Sequence, residues 1–119
     1  MRLETLGLLF DIREAAKFIS DDTEGITYEV FLSNRQTRQS VERNFITIGE
    51  AVNRLRQRDP DVASRISAVA EIIGMRNVLI HAYREIDYAR IWRTIETSLP
   101  QLLREVELLF AEGNREDSR

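Results

Sequence analysis

From Arg76 to Tyr83 the chain reads Arg76-Asn77-Val78-Leu79-Ile80-His81-Ala82-Tyr83. An arginine, an amide, the only histidine of the sequence and a tyrosine are set into two turns of an otherwise apolar run. One imidazole is one side chain whose unperturbed charge switches near neutral pH, so acid–base chemistry at pH 7 would run through His81. The nearby guanidinium suits a phosphate, because it offers a planar, permanently charged fork to an oxyanion. Cleaving RNA without a metal takes a base to deprotonate the 2′-hydroxyl and an acid to protonate the leaving 5′-oxygen. One chain has a single histidine for two jobs. A symmetric pair of chains has two, with arginines to stabilise the charge developing on the phosphate.

On a helical wheel Arg76 and His81 lie about 140° apart, while Tyr83 falls about 20° from Arg76. Asn77 and His81 are i, i+4 neighbours, so Asn77 could orient the imidazole or a phosphate. Ile72, Met75, Val78, Leu79 and Ala82 form the core arc. The opposite arc holds Arg76, Asn77, His81, Tyr83 and Arg84, with Ile73 and Ile80 almost superimposed in its middle. Scattered exposed apolar residues are common, but two isoleucines centred among cations predict a second buried surface. A two-fold dimer through this face would bring two copies of Arg76 and His81 close to one axis.

Each of these residues also has a structural reading. His81 could be a hydrogen-bonded structural histidine, and Tyr83 a half-buried bundle aromatic. Arg76 could pair with Glu50 and tie two helices together. Glu50 belongs to the polar stripe Arg43-Thr47-Glu50-Arg54 and follows Gly49, where another backbone could approach closely. That neighbour makes Glu50 a candidate supporting residue facing the same groove. Arg54, Arg56 and Arg58 could touch phosphates, although cations near a helix C-terminus are favourable in their own right.

The elements that must position this motif are helical. With five glycines and two prolines in 119 residues, the chain has few breakers, and apolar residues recur at period 3.6. A first helix over about residues 2–20 is expected, with Leu9, Ile12, Ala16 and Ile19 inward and Leu6 and Phe10 widening the face; Asp21, Asp22 and Gly25 mark the turn. A short helix near 27–32 has Thr27 as N-cap. A third over about 35–58 places Val41, Phe45, Ile48, Val52 and Leu55 inside. Asp59-Pro60 restarts the chain as N-cap and N1, and a helix through Val62 and Ile66 leads to the motif helix at about 68–83. After Asp87, Tyr88, Trp92, Ile95, Leu99, Leu102, Val106 and Leu109 keep one phase across Pro100, predicting a single long helix kinked at proline. The expected fold is an all-α, up-and-down bundle of four to five helices in one domain, residues 1–112, with a polar, frayed tail at 113–119.

Composition excludes several chemistries. Without cysteine there are no disulfides or thiolate metal sites, and one histidine rules out a multi-histidine centre within one chain. No tight acidic cluster suggests a carboxylate-only Mg²⁺ site, so neither metal nor cofactor is expected. No run reaches membrane-spanning length and no signal peptide is evident, which points to a cytoplasmic protein. The net charge of −3 argues against general nucleic-acid affinity. Lys17 is the only lysine among 17 basic residues, leaving 16 arginines; a bound polyanion would need a local arginine-lined groove.

These residues resemble the HEPN superfamily, in particular the HepT-like toxins of prokaryotic toxin–antitoxin pairs. The signature of arginine, four residues, histidine, one residue and tyrosine is met by Arg76, His81 and Tyr83. Met75-Arg76-Asn77, Asp87 and Trp92, Ile48-Gly49-Glu50-Ala51 and Leu99-Pro100 match as well, in order and across nearly the whole chain. The resemblance implies a dimeric, metal-independent endoribonuclease with Arg76 and His81 catalytic and Asn77 supporting. It also implies an MntA-like nucleotidyltransferase antitoxin that silences the toxin by transferring AMP onto Tyr83. The alternative is a non-catalytic helical binding or scaffold partner of a nucleotidyltransferase. Overall acidity suits that alternative; the intact Arg–His–Tyr motif does not.

Overall fold

The computed structural model describes residues 1–117, except for the side chains of Tyr83 and Asp117. Among them are seven α-helices and no strand: α1 (Leu3–Thr23), α2 (Tyr28–Ser33), α3 (Arg35–Arg58), α4 (Pro60–Ala63), α5 (Val69–His81), α6 (Tyr88–Glu96) and α7 (Ser98–Asp117), with a 3₁₀ turn at Tyr83–Glu85. The four long helices α1, α3, α5 and α7 make the bundle. Cross-helix pairs fix its sense. Thr5 donates to Asp59 at 2.9 Å while Ser40 donates to Asp22 at 2.7 Å, so α1 and α3 run antiparallel. The Met1 ammonium on Glu116 and the Phe10–Phe110 ring contact set α7 antiparallel to α1. The all-α bundle is as expected.

Helix α3 is the spine, packed against both α1 and α5. Its 4-3-4-3 apolar positions Val41, Phe45, Ile48, Val52 and Leu55 are all buried, each such side chain contributing about 1.5–3 kcal/mol by leaving water. Both predicted caps, Thr27 and Asp59, are made, and Asp87 adds a third. Thr27 accepts from Val30 N, Asp59 from Val62 N ahead of Pro60, and Asp87 from Arg90 N. Phe31 stacks with Trp92 at 5.2 Å beneath α2. Burial, and then the Glu42 carboxylate that accepts from its hydroxyl, push the nearby Tyr88 phenol up.

Several boundaries depart from expectation. Helix α1 continues through Asp21 and Asp22 to Thr23, whose buried hydroxyl donates back to Ile19 O at 2.7 Å. The turn falls at Gly25, where φ is +75°. Phe10 leaves the core side: it is partly exposed and packs on Phe110, whose ring the Arg13 guanidinium covers at 4.3 Å. The helix expected through Val62 and Ile66 is the single turn α4, and Ile66 is buried beyond it.

The long final helix is two helices divided at Thr97 (φ −114°, ψ −68°). Pro100 is the cause: it has no N–H to donate to the Glu96 carbonyl four residues back, and its ring crowds that carbonyl. Only one residue intervenes, so the apolar phase survives the break. Helix α7 then continues through Asp117 where a frayed tail was expected from 113; residues 118–119 lie outside the described residues. Among the described residues no helix is long and apolar enough to cross a membrane.

Candidate active site

The site is built around a close approach of α3 and α5. A Cβ on Gly49 would lie 2.3 Å from the Arg76 Cβ, 2.7 Å from its Cγ and 3.4 Å from the Ile72 carbonyl. Only glycine lets the Arg76 stem rest on the α3 backbone. The expectation that another chain segment approaches at Gly49 is met, and that segment is the motif helix itself.

Pinned there, the Arg76 side chain is 27% exposed, and its two ends meet different groups. Nη1 donates to Asn77 Oδ1 at 3.0 Å. Nη2 stands 3.7 Å from the Glu50 carboxylate, which is 56% exposed. That distance is too long for a hydrogen bond, and so exposed a pair contributes about 0–1 kcal/mol. Glu50 and Arg76 therefore form a weak ion pair between α3 and α5. The buried Nε has no partner among the described residues, a condition that costs about 1–3 kcal/mol. The guanidinium is held in place but not used up.

His81 is the last residue of α5 and is exposed, where a cation is favourable to the helix dipole. It stands about 140° around and about 7.5 Å along the helix from Arg76. One chain does not converge the two. Among the described residues no hydrogen bond joins Asn77 to His81, since the Asn77 oxygen serves Arg76. Ile80, between them on the surface, remains 36% exposed, and Ile73 is half-buried.

Tyr83 requires a correction. The motif helix ends at His81, Ala82 leaves the helical region (φ −135°, ψ 40°), and Tyr83 opens the 3₁₀ turn. The i, i+7 alignment of Tyr83 with Arg76 on one continuous helix does not exist. The Tyr83 side chain itself lies outside what is described.

Beside Arg76 runs a groove of about 440 Å³, lined by Asp11 from α1, by Thr47, Glu50, Arg54 and Gln57 from α3, and by Arg76. Of the arginine trio only Arg54 lines it; Arg56 donates to Asn53 at 2.9 Å and Arg58 sits 3.4 Å from Glu4. Gln57 and Asp11 were not singled out in the sequence. Gln57 continues the stripe seven residues after Glu50, a signal that was available, whereas nothing local marks Asp11. No three of His, Asp and Glu among the described residues are grouped to hold a metal ion.

Comparison with known proteins now decides the family. The model of the family described as "Ribonuclease HepT-like" matches residues 12–109, which include Gly49, Glu50 and the whole motif. The chain belongs to the HepT-like ribonuclease family. This HepT-like chain is 35% identical over 105 residues to "Putative RNase MJ1380" of Methanocaldococcus jannaschii, covering 85% of this chain and 92% of that protein. It is 33% identical over 116 residues to "Putative RNase MJ1216" of the same organism, covering 92% of each. It is 34% identical over 105 residues to "Probable ribonuclease HepT" of Thermococcus cleftensis, covering 85% of this chain and 91% of that one. No solved structure matches it.

Proposed function

We propose that this HepT-like chain is the toxin of a two-component toxin–antitoxin pair, an endoribonuclease that needs no metal and works as a symmetric dimer. Arg76 and His81 carry the reaction, Asn77 holds the guanidinium, and Glu50 supports it from α3. In the composite site one imidazole takes the proton of the 2′-hydroxyl and the second chain's imidazole gives one to the leaving 5′-oxygen. The 2′-oxygen bonds to phosphorus as the bond to the 5′-oxygen breaks, leaving a 2′,3′-cyclic phosphate and a 5′-hydroxyl. The arginines stabilise the charge on the phosphoryl oxygens.

The state of Arg76 carries this reading. A purely structural arginine would be spent on a carboxylate, yet Glu50 meets Arg76 only in a weak, solvent-exposed ion pair at 3.7 Å, while Gly49 and Asn77 hold the group still. The exposed Ile80 beside His81 supports a second chain over this face. In the test, purified protein is incubated with single-stranded RNA in chelator, where flexible backbone permits in-line attack. Arg76→Ala and His81→Ala should each lose at least about a hundredfold in rate with helix content and dimer mass intact. Undiminished cleavage by both variants, or a requirement for Mg²⁺, contradicts the reading.

Silencing is assigned to an MntA-like nucleotidyltransferase that transfers AMP from ATP to the Tyr83 hydroxyl, with pyrophosphate leaving. The adduct would set a phosphate anion and a nucleoside two residues beyond His81, opposing RNA sterically and electrostatically. After incubation with the partner and ATP, mass spectrometry should find AMP on Tyr83 and none on the Tyr83→Phe chain. An inhibited complex with Tyr83 unmodified would point to occlusion instead.

A further inference from the structure

We infer that the groove between α1 and α3 beside Arg76 is a recognition subsite for one unpaired nucleotide flanking the scissile bond, favouring a base with an exocyclic amine over uracil. The inference rests on the ribonuclease reading above and names what that site reads.

The groove's charge does not fit a phosphate track. Two cations, Arg54 and Arg76, face two carboxylates, Asp11 and Glu50, so the four side chains sum to zero. A backbone-binding channel would be uniformly positive, because affinity there comes from neutralised phosphates. Neither does it fit a stacking platform, since no aromatic side chain among the described residues lines it. What remains is edge recognition. Its apolar floor, Leu8 and Ala51, is small.

The individual groups suit that task. A carboxylate accepts from a base amino group, as aspartate and glutamate do from the cytosine N4 amine, and glutamine pairs in two-pronged fashion with adenine. Asp11 and Gln57 supply these two chemistries from facing helices. Uracil would turn an acceptor oxygen toward Asp11 in place of a donor. Arg54, one helical turn before Gln57 on the same stripe, is placed for that nucleotide's phosphate. Gln57 lies eight residues along α3 from Gly49, about 12 Å from the point where Arg76 rests. The subsite therefore extends beyond the phosphate held at Arg76. Asp11, Arg54 and Gln57 all lie outside the Arg–His–Tyr motif.

The experiment cleaves a single-stranded RNA pool of randomised sequence with the full chain and reads the cut ends by sequencing. The native protein should show uracil depleted about tenfold at one position beside the cut. Asp11→Asn, which replaces the acceptor by an amide that can donate to uracil, should erase most of that depletion, and Gln57→Leu should do the same. Arg54→Gln should raise KM, lower the salt slope of RNA binding by about 0.7, and leave the base preference alone. Helix content and dimer mass are measured for each variant. As a second readout, non-cleavable 2′-O-methyl RNA should bind the native chain more weakly with uracil at that position than with adenine, a difference absent in Asp11→Asn. A flat native profile, or one unchanged in Asp11→Asn and Gln57→Leu, overturns the inference. The ribonuclease reading still stands in that case if Arg76→Ala and His81→Ala abolish cleavage, and it falls if they do not.

Discussion

Two grooves of this bundle differ in origin as much as in lining. The larger, about 710 Å³, opens where α6 gives way to α7, with Trp92, Ile95 and Leu99 on its floor. Its rim carries Asp21, Glu24, Glu96 and Glu107 against the single Arg104. The smaller, about 440 Å³, lies between α1 and α3 beside Arg76. The first is a by-product of Pro100, which breaks the helix at Thr97 and leaves a notch. The second exists because Gly49 admits the Arg76 stem to the α3 backbone and aims a guanidinium along a polar stripe. The larger of two pockets is the usual first guess for a site, but here four carboxylates against one arginine would repel a polyanion. Volume follows from where the backbone breaks; chemistry follows from which side chains are held still.

The sharpest way to break this contrast is to alter each groove in turn. Arg76→Ala should abolish RNA cleavage, while Glu96→Gln and Glu107→Gln on the larger groove should leave the rate within about twofold, as expected of surface groups far from the reaction. A tenfold loss from the rim variants would erase the distinction. Next in size is Gly49→Ala. Its methyl would fall 2.3 Å from the Arg76 Cβ, so α5 must move, at about 1–3 kcal/mol of stability by overpacking. Cleavage should drop about tenfold beyond what unfolding explains, since small displacements of a positioned group are costly. Denaturant melts paired with rates at saturating RNA would separate the two effects, and an unchanged rate would show that Gly49 serves packing alone.

The smallest effect is expected away from both grooves. Arg65 holds Glu112 by two hydrogen bonds, 2.6 and 3.0 Å, which lower the carboxyl below its ordinary value of 4.5. A depressed folded value means the stabilisation is fully present above pH 4.5 and is lost as pH falls through that lower value. Glu112→Gln should therefore melt slightly below the native chain at pH 7 and match it near the acid end. Both groups are solvent-facing, so the difference is small at pH 7 and smaller still in high salt. A difference that grows on acidification would reverse the sign.

The sequence disclosed most where physics is local. The bounds of α3, its buried heptad and the caps at Thr27 and Asp59 depend on residues within a few positions of one another, and all were legible. So was Gly49 as a place of close approach. The end of α5 was not, because no glycine or proline marks it: the chain leaves the helix at Ala82 and is extended at Ile86 and Asp87, with Ile86 packed on the core and Asp87 capping α6. The Pro100 break was anticipated as a kink, but apolar phase cannot distinguish a kink from a one-residue interruption. Asp11 was invisible, since it joins the groove only through the packing of α1 on α3. In the motif, spacing already indicated that Arg76 and His81 diverge within one chain, and α5 keeps that divergence.

That divergence makes the central claim a statement about two chains: each reaction uses one imidazole as base and its copy as acid. Native protein mixed with an equal amount of His81→Ala chain, exchanged to a random distribution of dimers, tests it directly. If both histidines are required, only native homodimers cleave and activity settles at about one quarter of that from the same total amount of native protein. If each chain acts alone, activity settles at about one half, and the composite site is contradicted.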